Sequence, residues 1–292
     1  MPSPAMLMHL LLDAVTLREQ VRVPEPELVM IDAASTEAFM MAGREDGLLA
    51  HTYLYHAIQA STVIAPGARV VDLGCGPANQ LALIARLNPE AHFIGVDASE
   101  SMLELARDTL VRCDVHNVEL CQSSMEALHG MADGSVDAVI STMTLHHLPD
   151  LATLQAAMHE AKRVLKPDGG IYITDFGRLK REAGQAFFAN DRKARQPAVY
   201  TQDYYNSMRA AFSLADLRNA AGIFGATANV RRTFLVPFLV VIRSAGSAPF
   251  RDSSRQAARA LYASMSKQQR YDFRDLSRFF AHGGFPLAFK PW

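Results

Sequence analysis

The chain has 292 residues, 49% of them hydrophobic, with 29 basic and 30 acidic side chains and a formal net charge of −1. That length buries one substantial core with accessory elements, and the even charge balance argues against non-specific capture of nucleic acid or of an anionic membrane surface. Three cysteines form no full disulfide set and read as reduced thiols of a cytoplasmic protein.

Residues 1–65 read as an N-terminal helical cap. Leu7, Leu10, Leu11, Ala14, Leu17 and Val21 recur at helical spacing. The stretch has no basic n-region and no small-residue cleavage site, so it reads as a docking helix rather than a signal peptide. Val23-Pro24-Glu25-Pro26 is its stop signal. A second helix is expected from Ser35-Thr36-Glu37, and a third over 48–63 carrying His51, Tyr53, Tyr55 and His56. The apolar run 234–242 is too short for a membrane span and contains Pro237.

The most informative stretch follows Pro66-Gly67. Arg69-Val70-Val71-Asp72-Leu73 reads as a buried strand running into Gly74-Cys75-Gly76-Pro77-Ala78-Asn79-Gln80, a tight turn that opens an apolar helix. Glycine brings the backbone within touching distance of a ligand, and the helix presents free N–H groups there. Phe93-Ile94-Gly95-Val96-Asp97 is a second strand ending in an acid, 25 positions after Asp72. A nucleoside-binding βαβ unit places its ribose acid at a spacing of about 20 residues. No third glycine completes the dinucleotide fingerprint, and an acid two residues before Gly74 suits a sulfonium and amino-acid ligand better than a diphosphate.

Ser99 reads as the N-cap of the next helix, with Met102 at the position of a capping-box partner. A third strand, 118–122, leads into Ser123-Ser124-Met125, and a fourth, 133–141, ends at Ser141 before Thr142-Met143-Thr144-Leu145-His146-His147-Leu148-Pro149-Asp150. A helix over 151–165 precedes a turn at Lys166-Pro167-Asp168-Gly169-Gly170 and a fifth strand, 171–175. Residues 176–212 break the alternation with charges and the tyrosines Tyr200, Tyr204 and Tyr205. Ser213 starts a last domain helix, and 229–234 with 238–243 form a closing hairpin. Residues 244–292 read as a C-terminal extension, helical from about 253 to 280, in which the seven basic side chains from Arg251 to Arg278 belong to a solvated amphipathic pair rather than to a nucleic-acid arm.

These landmarks, in this order over 66–243, resemble the class I S-adenosylmethionine (SAM)-dependent methyltransferases, in particular their quinone and natural-product branches. The resemblance implies an α/β fold: a doubly wound, Rossmann-like, seven-stranded, mostly parallel sheet closed by an antiparallel hairpin, with residues 176–212 as a lid insertion. It implies SAM as cofactor and methyl transfer to an N, S or O atom of a small molecule. The cofactor set carried over is Asp72, Gly74, Cys75, Gly76 and Gln80 at the turn, Asp97 with Ala98 and Met102 beyond the second strand, Ser124 and Met125 at the adenine, Ser141, and Tyr53 from the preceding helix. Ala78 stands where the family's third glycine usually does, a change that tightens the site slightly and is tolerated if the backbone there has negative φ. Ser124 replaces an acid.

His146 is the candidate general base if the acceptor needs one. Tyr204 and Tyr205 are candidates to wall the acceptor, since a transferring positive charge favours aromatic faces. No metal site is expected, His146, His147 and Asp150 making a poorer set than the carboxylates of metal-dependent catechol methyltransferases. A small-molecule acceptor, no nucleic acid, no membrane and a homodimer through the terminal helices are the expected partners. A SAM-consuming cyclase or lyase and a non-catalytic SAM-binding subunit are the competing readings, with an NAD-linked oxidoreductase behind them.

Overall fold

The computed structural model describes residues 3–25, 47–191, 193–245, 248 and 250–292. The helix expected from Ser35 lies outside these residues. Seven strands form one sheet: β1 (Arg69–Leu73), β2 (His92–Asp97), β3 (Val118–Gln122), β4 (Val136–Thr142), β5 (Leu165–Phe176), β6 (Ala228–Arg232) and β7 (Leu239–Ser244), in the order β3-β2-β1-β4-β5-β7-β6. The first five run parallel, and β7 is antiparallel to both β5 and β6. Strand order reverses between β1 and β4, and such a switch point is where open α/β sheets leave a ligand crevice.

Along β1, Val70 belongs to the core on one face and Val71 to the core on the other, as the two-residue period of a strand requires. Both faces are covered, which explains why β1 reads as an uninterrupted apolar run. One layer holds α2 (Ala50–Ala60), α3 (Asn79–Leu87) and α4 (Glu100–Arg112) around Leu81, Ile84 and Phe93. The opposite layer holds α5 (Leu151–Val164) and α8 (Leu214–Ala221) around Leu154, Met158 and Leu217. Above the sheet's C-terminal rim, α1 (Pro4–Val15), α6 (Glu182–Asn190) and α7 (Ala198–Ala210) share a third cluster containing Phe176, Phe188 and Met208.

The C-terminal extension is two helices, α9 (Asp252–Ser264) and α10 (Lys267–His282). Ser266 breaks them by capping α10 in a reciprocal box with Gln269. Past α10 the chain returns to the core: Tyr55 Oη donates to the Phe285 carbonyl at 3.1 Å, and the Tyr55 ring stacks on Phe280.

Two boundaries differ from the sequence reading. The first helix stops at Val15 rather than near Val23. Beyond it the Gln20 and Val23 amides donate to the carbonyls of Lys180 and Arg209, so the backbone is satisfied across the fold instead of within a helix. Leu17 and Val21, placed on the apolar face by their spacing, are 98% and 80% exposed. The expected turn at 166–170 lies inside β5, because Leu165 already pairs with Val136 across a register shift. Among the described residues, no helix is long and apolar enough to cross a membrane.

Candidate active site

The turn between β1 and α3 is built on three positive φ angles: Gly74 at 68°, Gly76 at 52° and Ala78 at 59°. The condition of negative φ at Ala78 is therefore not met, and the non-glycine residue sits in left-handed backbone as the α3 N-cap. Gly74 is held tightly, since Thr144 Oγ1 donates to its carbonyl at 2.9 Å and a Cβ there would meet Thr144 Cγ2 at 2.4 Å. Around Gly76 the space is open, with nothing within 4 Å of a Cβ position.

The Gly76 amide donates to Asp97 Oδ2 at 2.8 Å and the Ser99 amide to Asp97 Oδ1 at 2.9 Å. The acid that ends β2 thus fixes both the turn and the start of α4, where Ser99 Oγ accepts from the Met102 amide. No side chain caps the α3 N-terminus, so its first N–H groups face the same crevice. Asp72 is 2% exposed beneath them; burial and then the nearby Asp97 charge push its carboxyl well above the usual range. Open glycine backbone, a half-buried carboxylate and a helix N-terminus without a side-chain cap among the described residues suit a nucleoside carrying an amino-acid arm.

The remaining candidates divide. Met125 reaches over the turn, its Cε 3.1 Å from the Gly74 Cβ position. Cys75 and Met102 are buried beside the turn and behind the Ser99 cap, while Ala98 is exposed on the rim. Gln80 Nε2 donates to the Tyr53 carbonyl. Tyr53 itself lines a cavity of about 540 Å³ that runs along α3 past Asn79, Leu83 and Arg86. Tyr55 is core. Ser124 is half-buried, and its carbonyl accepts the Ala127 amide. Ser141 is fully buried and its hydroxyl donates to the Leu73 carbonyl at 2.9 Å, so it stitches β4 to β1.

A second cluster lies beyond the ends of β4 and β5. His146 is 3% exposed; its Nδ1 lies 2.7 Å from Asp175 Oδ1, and its amide donates to Asp175 Oδ2. Glu25 arrives from the opposite end of the chain. Its Oε2 lies 2.5 Å from His147 Nδ1, its Oε1 accepts from Ser207 Oγ at 2.8 Å, and its Oε1 lies 4.0 Å from His146 Nε2. Burial alone would raise the Glu25 carboxyl, but the His147 bond and charge, His146 and Ser207 bring it down to about 2. Burial opposes a charge on His146, and Asp175 and then Glu25 outweigh it, raising the imidazole above its ordinary range. Asp203 faces the same groups and is raised by burial and by Glu25.

Arg22 locks this arrangement by donating to the carbonyls of His146, Leu148, Pro149 and Ala210, with its guanidinium over the Phe212 ring. Tyr204 packs on Phe176, which in turn packs on His146. Tyr205 turns outward, its hydroxyl donating to Glu182 at 2.9 Å. Glu25, His146 and His147 place one donor atom each within 4.8 Å of one another. Donors around tetrahedral zinc sit about 3.3 Å apart, and the spacings of 2.5 and 4.0 Å miss that value on both sides.

The family profile described as a methyltransferase domain matches residues 64–212, just over half of the chain. The chain belongs to the methyltransferase-domain family. Demethylmenaquinone methyltransferases of Listeria monocytogenes serotype 4a and Listeria welshimeri are 36% identical to it over 110 residues, 37% of this chain and 45% of theirs. An arsenite methyltransferase of Halobacterium salinarum is 35% identical over 118 residues, 40% of this chain and 29% of that protein. The chain thus spans less than half the length of the curated relatives it matches. A SAM-dependent methyltransferase from Aquifex aeolicus superposes with a TM-score of 0.52 at 17% identity, over 73% of this chain and 98% of its own. An O-methyltransferase family protein from Burkholderia thailandensis gives 0.53 at 18%, over 75% and 62%. These two likenesses show the family's fold.

Sequence reasoning named His146, Asp97 and the turn. It passed over Asp175, although that residue lies one short of the end of β5 much as Asp97 ends β2, and it placed Glu25 in a stop signal. Nothing local in the sequence marks Arg22 or Glu25, because their partners lie more than a hundred residues away.

Proposed function

We propose that the chain is a SAM-dependent methyltransferase acting on a small molecule in the cytoplasm. The observation that carries this reading is the pairing of Asp97 with the Gly76 amide beside open space, in a chain of the methyltransferase-domain family. When bound, SAM supplies an electrophilic methyl group on a sulfonium, and methyl transfer leaves S-adenosylhomocysteine.

Asp97 holds the ribose hydroxyls, the Gly76 backbone and the α3 amides take the amino-acid arm, and Met125 packs on the base. Positioning alone supplies several kcal/mol, up to about 10, when the acceptor is held in line and water is excluded. Phe176 and Tyr204 wall that side. An acceptor that must shed a proton hands it to Nε2 of His146, whose tautomer Asp175 sets through Nδ1. The even charge balance supports a small-molecule acceptor over nucleic acid, and the three free cysteines support a reducing compartment. Pairing of two copies through the terminal helices belongs to the same proposal; the exposed Leu7, Leu11 and Val15 on α1 support it, and light scattering reads it.

Calorimetry with S-adenosylhomocysteine tests the cofactor, and absence of heat overturns the reading. Incubation with SAM alone separates it from a cyclase or lyase, because released methylthioadenosine assigns the chemistry to the aminobutyryl arm instead.

A further inference from the structure

We propose that the acceptor is a primary amine whose nitrogen sits between Glu25 and His146. The inference rests on the methyl-transfer reading and names its substrate class. Nε2 of His146 and Oε1 of Glu25 lie 4.0 Å apart, too far to bond each other, and their side chains are only 4% and 7% exposed. Asp175 at 2.7 Å takes the other ring nitrogen. With Asp175 accepting at Nδ1, the neutral form of the ring carries its proton there and presents Nε2 as an acceptor, and the carboxylates that raise the imidazole make Nε2 the stronger base. Oε1 of Glu25 takes one hydrogen bond from Ser207 and keeps lone-pair capacity. The gap is therefore walled by two acceptors.

A hydroxyl has one hydrogen and leaves one wall facing a lone pair. A primary amine has two hydrogens, one for each wall, and its nucleophilic lone pair points away from both. Two N–H···acceptor bonds of about 2.9 Å, opened at the angle between amine hydrogens, span roughly 4 to 5 Å.

Charge favours the same class. Glu25, Asp175 and Asp203 face His146 and His147 in a buried space, and Arg22 is engaged with four backbone carbonyls. The amine nitrogen becomes an ammonium as it gains carbon, and carboxylates already in place stabilise that charge as it forms. The methylated ammonium then loses one proton: an N–H bond breaks, its electron pair stays on nitrogen, and the proton passes to His146 Nε2. The Phe176 ring, its centroid 5.3 Å from that of His146, brings an aromatic surface to the same neighbourhood.

The test uses the full chain loaded with S-adenosylhomocysteine, titrated with benzylamine and tyramine against the matched benzyl alcohol and tyrosol. Calorimetry reads affinity, and nitrogen-15 spectra of the His146 imidazole read contact. Amines are expected to shift the His146 resonances and to bind about tenfold tighter than the alcohols, one hydrogen bond to a charged group being worth that much. Glu25→Gln removes the preference and Glu25→Asp retains part of it, with melting curves confirming that both variants fold. Equal binding of amine and alcohol, an unshifted His146, or a preference surviving Glu25→Gln overturns the proposal. So does binding abolished by a chelator, which assigns the gap to a metal ion. Heat with S-adenosylhomocysteine but no amine preference sinks this inference alone; no heat with it sinks the methyl-transfer reading first.

Discussion

Asp97 accepts the Gly76 amide at 2.8 Å, so the acid that ends β2 holds the shape of the turn that follows β1. The same carboxylate accepts the Ser99 amide at the head of α4. Removing it strips two charge-assisted bonds as well as a ligand contact. Asp97→Ala is expected to weaken S-adenosylhomocysteine binding by more than about tenfold and to cost about 2 kcal/mol of stability. Calorimetry and urea unfolding measure the two effects separately. Unchanged affinity in the folded variant removes Asp97 from the site.

Ala78 reverses the usual rule for glycine substitution. Left-handed backbone costs a residue with a Cβ about 1–2 kcal/mol, against roughly 0.8 kcal/mol for the buried methyl it would give up. Ala78→Gly is therefore expected to leave stability unchanged or raise it by up to about 1 kcal/mol, while Ala78→Val, β-branched at positive φ, loses more than about 2 kcal/mol. Urea midpoints of the two variants decide it, and a large loss in the glycine variant contradicts the positive φ.

Glu25 ties stability to acidity. Its folded carboxyl titrates at about 2, below the ordinary value of 4.5, so the folded state binds its proton more weakly than the unfolded chain does. The stabilisation is complete above the ordinary value and drains away as pH falls from 4.5 toward 2. The difference in urea midpoint between the wild type and Glu25→Gln should be largest near neutrality and shrink over that acid window. A constant difference at every pH disproves the depressed carboxyl.

Phe285 anchors the returning C-terminal segment. It is 8% exposed within the core that includes Tyr55 and Phe280, and its carbonyl accepts from both Tyr55 Oη and Gln59 Nε2. Phe285→Ala is expected to cost about 3–4 kcal/mol. Calorimetric melting reads this, and a loss below about 1 kcal/mol would mean that the segment is not part of the core.

The sheet was legible because its signals are local. The apolar run of β1, the two glycines after it, the acid ending β2 and the Ser99 cap each sit within a few residues of what they determine. The extended course of 16–25 was not, since Leu17 and Val21 keep helical spacing while the backbone bonds to Lys180 and Arg209. Half of the candidate site followed the same division. Asp97 and His146 lie at strand ends, where topology alone places ligands, whereas Glu25 acquires its role only through His147 and Ser207. Ser141 lies at a strand end too and yet serves packing, because its hydroxyl is spent on the Leu73 carbonyl.

Arg22 gathers four carbonyls, the most distant of them 188 residues further along the chain. During synthesis the segment that carries it emerges early, finds its first partners only at 146–149, and has its full set once the ribosome has passed Ala210. Glu25 therefore reaches its two histidines only after at least 147 residues have been made, and its contacts are long-range ones that a growing chain forms late. A bulky fusion placed just ahead of this segment would interfere with those contacts while leaving assembly of the sheet alone.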